Sequence, residues 1–188
     1  EATGLLGLML LHDARRDARL NDQGDLVLLE DQDRTLWSQD QIREALPLAA
    51  EALRRGVGPF AIQAAIAGVH CQSARADDTD WPQTLALYRL LERMDPGPTV
   101  TLNRAVAEAM VHGPRAGLDL LATLTVDDRV SGAHRFDAVR AHLLEMAGEH
   151  REAYAAYQRA ARRTASIPER RYLLTRARCV PRDGKDES

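Results

Sequence analysis

Four short stretches of this chain carry the residue types from which chemistry could be built. The first is Glu30-Asp-Gln-Asp-Arg34-Thr-Leu-Trp37, with three acids, an arginine and a tryptophan in eight residues. Asp31 and Asp33 are spaced like a general acid and base, but that work needs one carboxyl with a raised pKa, set by burial. A capped helix start with Trp37 buried is the simpler reading. The second, Asp77-Asp-Thr-Asp80-Trp81-Pro82, is an acidic turn in which Thr79 or Asp80 can N-cap a helix and Pro82 suits its first turn. The third is Asn103-Arg104 inside the apolar run Val100–Val111, where Arg104 must reach water or meet an acid. The fourth is His70-Cys71, which as helix neighbours point about 100° apart and make a poor nucleophile–base pair. Cys71 reads as a small core residue.

Other signatures fail on inspection. Arg19–Glu30 has the glycine and terminal glutamate of a calcium loop, but Arg19 stands where the first carboxylate must bind the cation. G-x-S-x-G, H-E-x-x-H, Walker and G-x-G-x-x-G patterns are missing, and no two of the six histidines have metal-ligand spacing. The expectation is a protein that is not an enzyme and needs no cofactor or metal. Asp31, Asp33 and Asp80 are candidate partners of Arg104, so the polar stretches are expected to meet in a buried charge network or at the rim of a docking groove.

The elements that must position these residues are helical. The 188 residues are 45% hydrophobic and 28% charged with a net charge of −3, enough to bury a core without staples. The longest apolar run, Gly4–Leu11, is far below the roughly 18 residues of a membrane span. Two cysteines give no disulfide framework and fit a reducing, cytoplasmic compartment. Glu1 reads as a cut inside a longer protein. With 4% aromatic residues the chain is poorly supplied for base stacking. Residues 151–188 carry 10 basic and 5 acidic side chains, against 7 and 11 in residues 1–60. That basic end raises one alternative, in which Arg159, Arg162 and Arg163 hold DNA phosphates, although the net negative charge opposes it.

Only Asp25–Leu29 reads as extended, and it could equally begin a helix. Ser38 or Asp40 can cap a helix to about Arg55, with Pro47 expected to kink or split it, and Pro59 suits the first turn of the next. Thr84–Pro96, Gly117–Leu124 and Ala153–Ala160 then repeat a small, large, apolar pattern at intervals of 33 and 36 residues, the last two each following a glycine-bearing turn at Gly113 and Gly148. Such periods predict tetratricopeptide-type helical hairpins. The expected fold is all-α: an N-terminal helical segment with the acidic loop over 1–57, a tetratricopeptide-like right-handed superhelix over 58–180, and a disordered tail over 181–188.

Taken in order, Leu10-Leu-His-Asp-Ala-Arg15, Gly24–Trp37, Asp78-Thr-Asp-Trp-Pro-Gln83, Leu102-Asn-Arg-Ala-Val-Ala107 and Gly113-Pro-Arg-Ala-Gly-Leu118 resemble the C-terminal extension of extracytoplasmic-function RNA polymerase sigma factors that carry tetratricopeptide-like repeats. The resemblance spans about Ala2 to Arg178. It implies a regulatory module that modulates transcription initiation through protein contacts. Its partners would be sigma regions two and four upstream in the same polypeptide, RNA polymerase or a regulatory protein, with neither membrane nor DNA contact by this segment. Asp31, Gln32, Asp33, Arg34, Trp37, Asp80, Trp81, Asn103 and Arg104 look like its hallmark residues, with structural or docking roles. The alternatives are a generic repeat scaffold of another multidomain protein, and a small-molecule-sensing domain with Asp31, Asp33 and Arg104 lining its pocket.

Overall fold

The computed structural model describes residues 1–124 and 133–181. Among these the chain is all-α, with nine α-helices that pack mostly on their sequence neighbours. They are α1 (Ala2–Asp13), α2 (Gln39–Arg55), α3 (Pro59–Gln72), α4 (Trp81–Met94), α5 (Pro98–His112), α6 (Pro114–Ala122), α7 (His134–Met146), α8 (His150–Arg163) and α9 (Ile167–Cys179). No helix of the described residues is long and apolar enough to cross a membrane. The expected disordered tail lies outside the described residues except for Pro181.

The chain divides into two compact units. One comprises Glu1–Gln23 and Val27–Val100, and the other Gly24–Leu26 and Thr101–Ser188, so the division falls within α5. Gly56–Gly58, where the sequence placed its first boundary, is a turn between α2 and α3 inside the first unit.

In the first unit α1 packs against both α2 and α3. Glycine makes this possible: a Cβ on Gly4 would lie 2.7 Å from the Ala61 backbone nitrogen, and one on Gly7 would lie 3.3 Å from that of Ala49. α2 begins as expected at Ser38, whose hydroxyl accepts the Gln41 N–H at 3.4 Å. Arg54 and Arg55 in its last turn complement the helix dipole and pair with Glu51. Ile42, Ala45, Ala49 and Ala52 form its buried stripe. Pro47 does not split the helix, which runs unbroken to Arg55. The proline and Arg43, whose carbonyl loses its intrahelical donor, are both exposed, so water can satisfy that group. Pro59 opens α3, and Asp80 caps α4 by accepting the Gln83 N–H at 2.9 Å. Asp25–Leu29 forms neither strand nor helix.

In the second unit Gly113 and Gly148 sit at the predicted turns with φ of 91° and 76°, a region that favours glycine. Gly117 brings α6 against α5 and α7; a Cβ there would lie 2.6 Å from the Ala105 carbonyl oxygen and 2.9 Å from Leu143 Cδ1. Ala153, Ala156, Tyr157, Ala160 and Ala161 give α8 its buried face, which packs with α7 and α9. Ser166 caps α9 by accepting the Glu169 N–H, and Glu169 in turn accepts the Thr164 hydroxyl at 2.6 Å.

Candidate functional site

The acidic stretch is a turn that holds itself. Asp33 Oδ1 accepts the Thr35 N–H at 2.9 Å and the Thr35 hydroxyl at 2.7 Å, which caps a 3-10 turn over Arg34–Leu36. These bonds hold the Asp33 carboxyl below the ordinary carboxylate range. A general acid needs the opposite, so Asp33 serves as a cap. Gln32 anchors the turn from the other side by donating to the Val27 carbonyl at 3.2 Å. Glu30, Asp31 and Asp33 are exposed.

Trp37 closes the turn and drives its side chain inward. It is 3% exposed and packs with Ala14, Ala18 and Ile42, while the following Ser38 N–H donates to the Ala14 carbonyl at 2.9 Å. Two arginines attend the indole. The Arg34 guanidinium lies 4.6 Å from the ring centroid and that of Arg15, from the turn after α1, lies 5.9 Å away. The last turn of α3 adds His70 and Cys71, and Trp81 at the start of α4 meets the His70 ring edge-on at 5.5 Å and 72°.

The electrostatics of this cluster are one-sided. Burial pushes the His70 imidazole down to about 4, with help from the charges of Arg15 and Arg34. Burial raises the Cys71 thiol, and the same two guanidiniums oppose that rise. Arg15 itself is pushed down by desolvation, with Arg19 and Arg34 adding to the effect. Nη1 and Nη2 of Arg34, Nε of Arg15 and the indole nitrogens of Trp37 and Trp81 are buried without a hydrogen-bond partner among the described residues. A cleft of about 610 Å³ runs beside the cluster, lined by the Glu30–Thr35 turn and the Ala74–Asp77 turn.

The two acidic stretches therefore share a unit and a cleft: Arg34 and Asp77 both line it, while Asp80 is spent on its cap and Trp81 on His70. Asn103 and Arg104 belong to the second unit, on α5, where Asn103 is exposed and Arg104 half-buried. In the basic end, Arg159 Nε donates to Asp137 Oδ1 at 3.1 Å and Arg163 Nη1 to Asp137 Oδ2 at 2.5 Å, around a carboxylate that is 3% exposed as a residue. Arg162 is exposed. Nearby, Glu145 accepts the Tyr157 hydroxyl at 2.6 Å and Arg176 Nη2 at 2.8 Å; burial and then Glu145 push the Tyr157 hydroxyl up. No cluster of three or more histidine, cysteine or acidic side chains that could hold a metal occurs among the described residues.

Sequence reasoning found Arg34 and Trp37 but assigned no role to Arg15 and set His70 aside with Cys71. The available signal was positional: Arg15 closes the first of the five ordered motifs, Leu10–Arg15.

Comparison with known proteins places residues 1–53 in a match to a family of unknown function, DUF6596. Over 174 residues the chain is 43% identical to an uncharacterized protein of Rhizobium meliloti (strain 1021), a match that covers 92% of this chain and 41% of the relative. The chain thus spans about two fifths of the length of the curated relative it matches. No solved structure matches.

Proposed function

We propose that this chain is the regulatory C-terminal module of an extracytoplasmic-function sigma factor. It acts without catalysis in the cytoplasm, modulating transcription initiation through contacts with the sigma core, RNA polymerase or a signalling protein. The observation that carries the reading is the Glu30–Trp37 turn, a self-capped acidic loop anchored by one buried tryptophan that presents Glu30 and Asp31 to solvent. Exposed charge on a rigid support suits recognition by another protein. The relative matched over 41% of its length leaves room for further regions in such a protein.

The helices of residues 58–180 are read here as tetratricopeptide-like hairpins in a right-handed superhelix. Supporting that reading are the neighbour-on-neighbour packing, the glycine turns at Gly113 and Gly148 and the small-residue face of α8.

The test compares transcription from a cognate promoter by the longer protein with and without this module, using purified RNA polymerase. A changed output is expected. Equal output from both forms removes the regulatory reading. A second comparison uses Asp31→Ala with Glu30→Ala, which alters the presented charge and leaves the Asp33 cap in place; altered output with an unchanged melting temperature is expected.

A further inference from the structure

We propose that Arg34, Arg15 and the indole N–H of Trp37 form a binding site for a small oxoanion, a phosphate or a carboxylate. A cation removed from water is stable only with an acceptor, and the planar fork of arginine is matched by two oxygens of one carboxylate or phosphate. Both terminal nitrogens of Arg34 are buried, and neither meets an acceptor among the described residues.

The nearest acid in sequence is already committed: Asp33 turns its Oδ1 to Thr35. The guanidiniums whose charge acts on Arg15 are Arg19 and Arg34, and those acting on His70 are Arg15 and Arg34, with no carboxylate in either set. Two guanidiniums near one indole repel each other, and a bound anion lowers that repulsion.

Trp37 is 3% exposed, yet its Nε1 has no acceptor among the described residues. A buried tryptophan normally finds a partner for that proton. The orphaned indole donor and the orphaned fork of Arg34, whose guanidinium lies 4.6 Å from the indole centroid, outnumber the one orphaned acceptor in the same stretch, Gln32 Oε1, and favour a ligand that brings several oxygens. The cleft between the Glu30–Thr35 and Ala74–Asp77 turns, on which Arg34 borders, gives such a ligand an approach. The acids along that cleft are exposed, so water and salt screen them and they admit a small anion to the buried donors behind. This inference does not depend on the sigma-factor reading.

The chain contains two tryptophans, so its proton–nitrogen correlation spectrum holds two indole resonances. Trp81→Phe identifies which belongs to Trp37. Sodium phosphate and, separately, sodium acetate are titrated against the full 188-residue chain at constant ionic strength set with sodium chloride. The Trp37 indole resonance is expected to move and saturate with at least one of the two anions; which one shows whether the site takes a tetrahedral phosphate or a planar carboxylate. Arg34→Gln should weaken that saturation about tenfold or more, and Arg34→Lys, which keeps the charge without the fork, should also weaken it. A Trp37 resonance that fails to saturate with either anion overturns the proposal, as does an unchanged midpoint in Arg34→Lys. If Arg34→Gln does not fold, Arg34→Lys and the unaltered chain decide the matter.

Discussion

At the scale of single residues, the chain separates charges that are spent from charges that are held in reserve. Asp33, Asp80 and Ser38 each satisfy a helix or turn start; Ser38 and Asp80 were among the caps the sequence offered, because a cap is a local bond over two or three residues, whereas Asp33 stood there as half of an acid–base pair. Arg159 and Arg163 were not legible as partners of Asp137, which lies more than twenty residues away on another helix. Asp137→Ala should cost about 2 kcal/mol in urea unfolding, less than for a fully buried pair because both arginines keep some access to water.

His70 makes a pH prediction. The folded chain keeps its imidazole neutral down to about pH 4, whereas the ordinary value is 6.5. The unfolded chain therefore binds the extra proton first, and stability from this site is lost as pH falls from 6.5 towards 4, by about 3 kcal/mol. Above pH 7 the site contributes no slope. His70→Asn should be less stable than the parent at pH 7.5, and the gap in melting temperature should narrow at pH 5. A gap that stays constant counts against the assigned burial.

At the scale of elements, helix identity came from apolar spacing and its punctuation by proline and glycine, while two features of the helices did not. Pro47 looked like a kink or a split, but a proline whose freed carbonyl belongs to an exposed residue costs less than one in a core, and the helix continues through it to Arg55. Asp25–Leu29 looked extended because it is a short apolar run, and it gets no further than one bridge position at Leu26 and the Val27 N–H bond to the Arg19 carbonyl at 2.9 Å. Gly117, the small residue that opens the second unit of the repeat, is where α6 makes its close contact with α5 and α7, although a glycine within a helix lowers propensity. Gly117→Ala should gain about 1 kcal/mol in helix propensity and still destabilise the chain, by about 1–3 kcal/mol from overpacking against Ala105, Ala109 and Leu143. Thermal unfolding followed by far-ultraviolet circular dichroism measures the sum. An increase in melting temperature would mean that α6 can withdraw from α5 without loss.

At the scale of the whole molecule, two compact units carry separate apolar clusters. Trp37 and Ile42 anchor one in the first unit, and Tyr157 and Leu173 one in the second. Both tryptophans belong to the first unit, so their fluorescence follows that unit, whereas circular dichroism follows the helices of both. Asp137→Ala in the second unit is expected to lower the dichroism midpoint more than the fluorescence midpoint. Coincident shifts would mean that the two halves unfold as one. The all-α class was readable from periodicity alone. The division within α5 was not, because it depends on which distant residues touch, and no local pattern marks Val100 from Thr101.

The dependence of α1 on glycine contacts with α2 and α3 also bears on biosynthesis. This first helix is apolar on nearly every side, with Met9 61% exposed even in the finished fold. Ala61, the residue against which Gly4 is pressed, leaves the ribosome about sixty residues later, which at about 5–20 residues per second is a delay of several seconds. During that interval Leu5, Leu6, Leu8 and Met9 are an oily segment whose Ala61 contact does not yet exist.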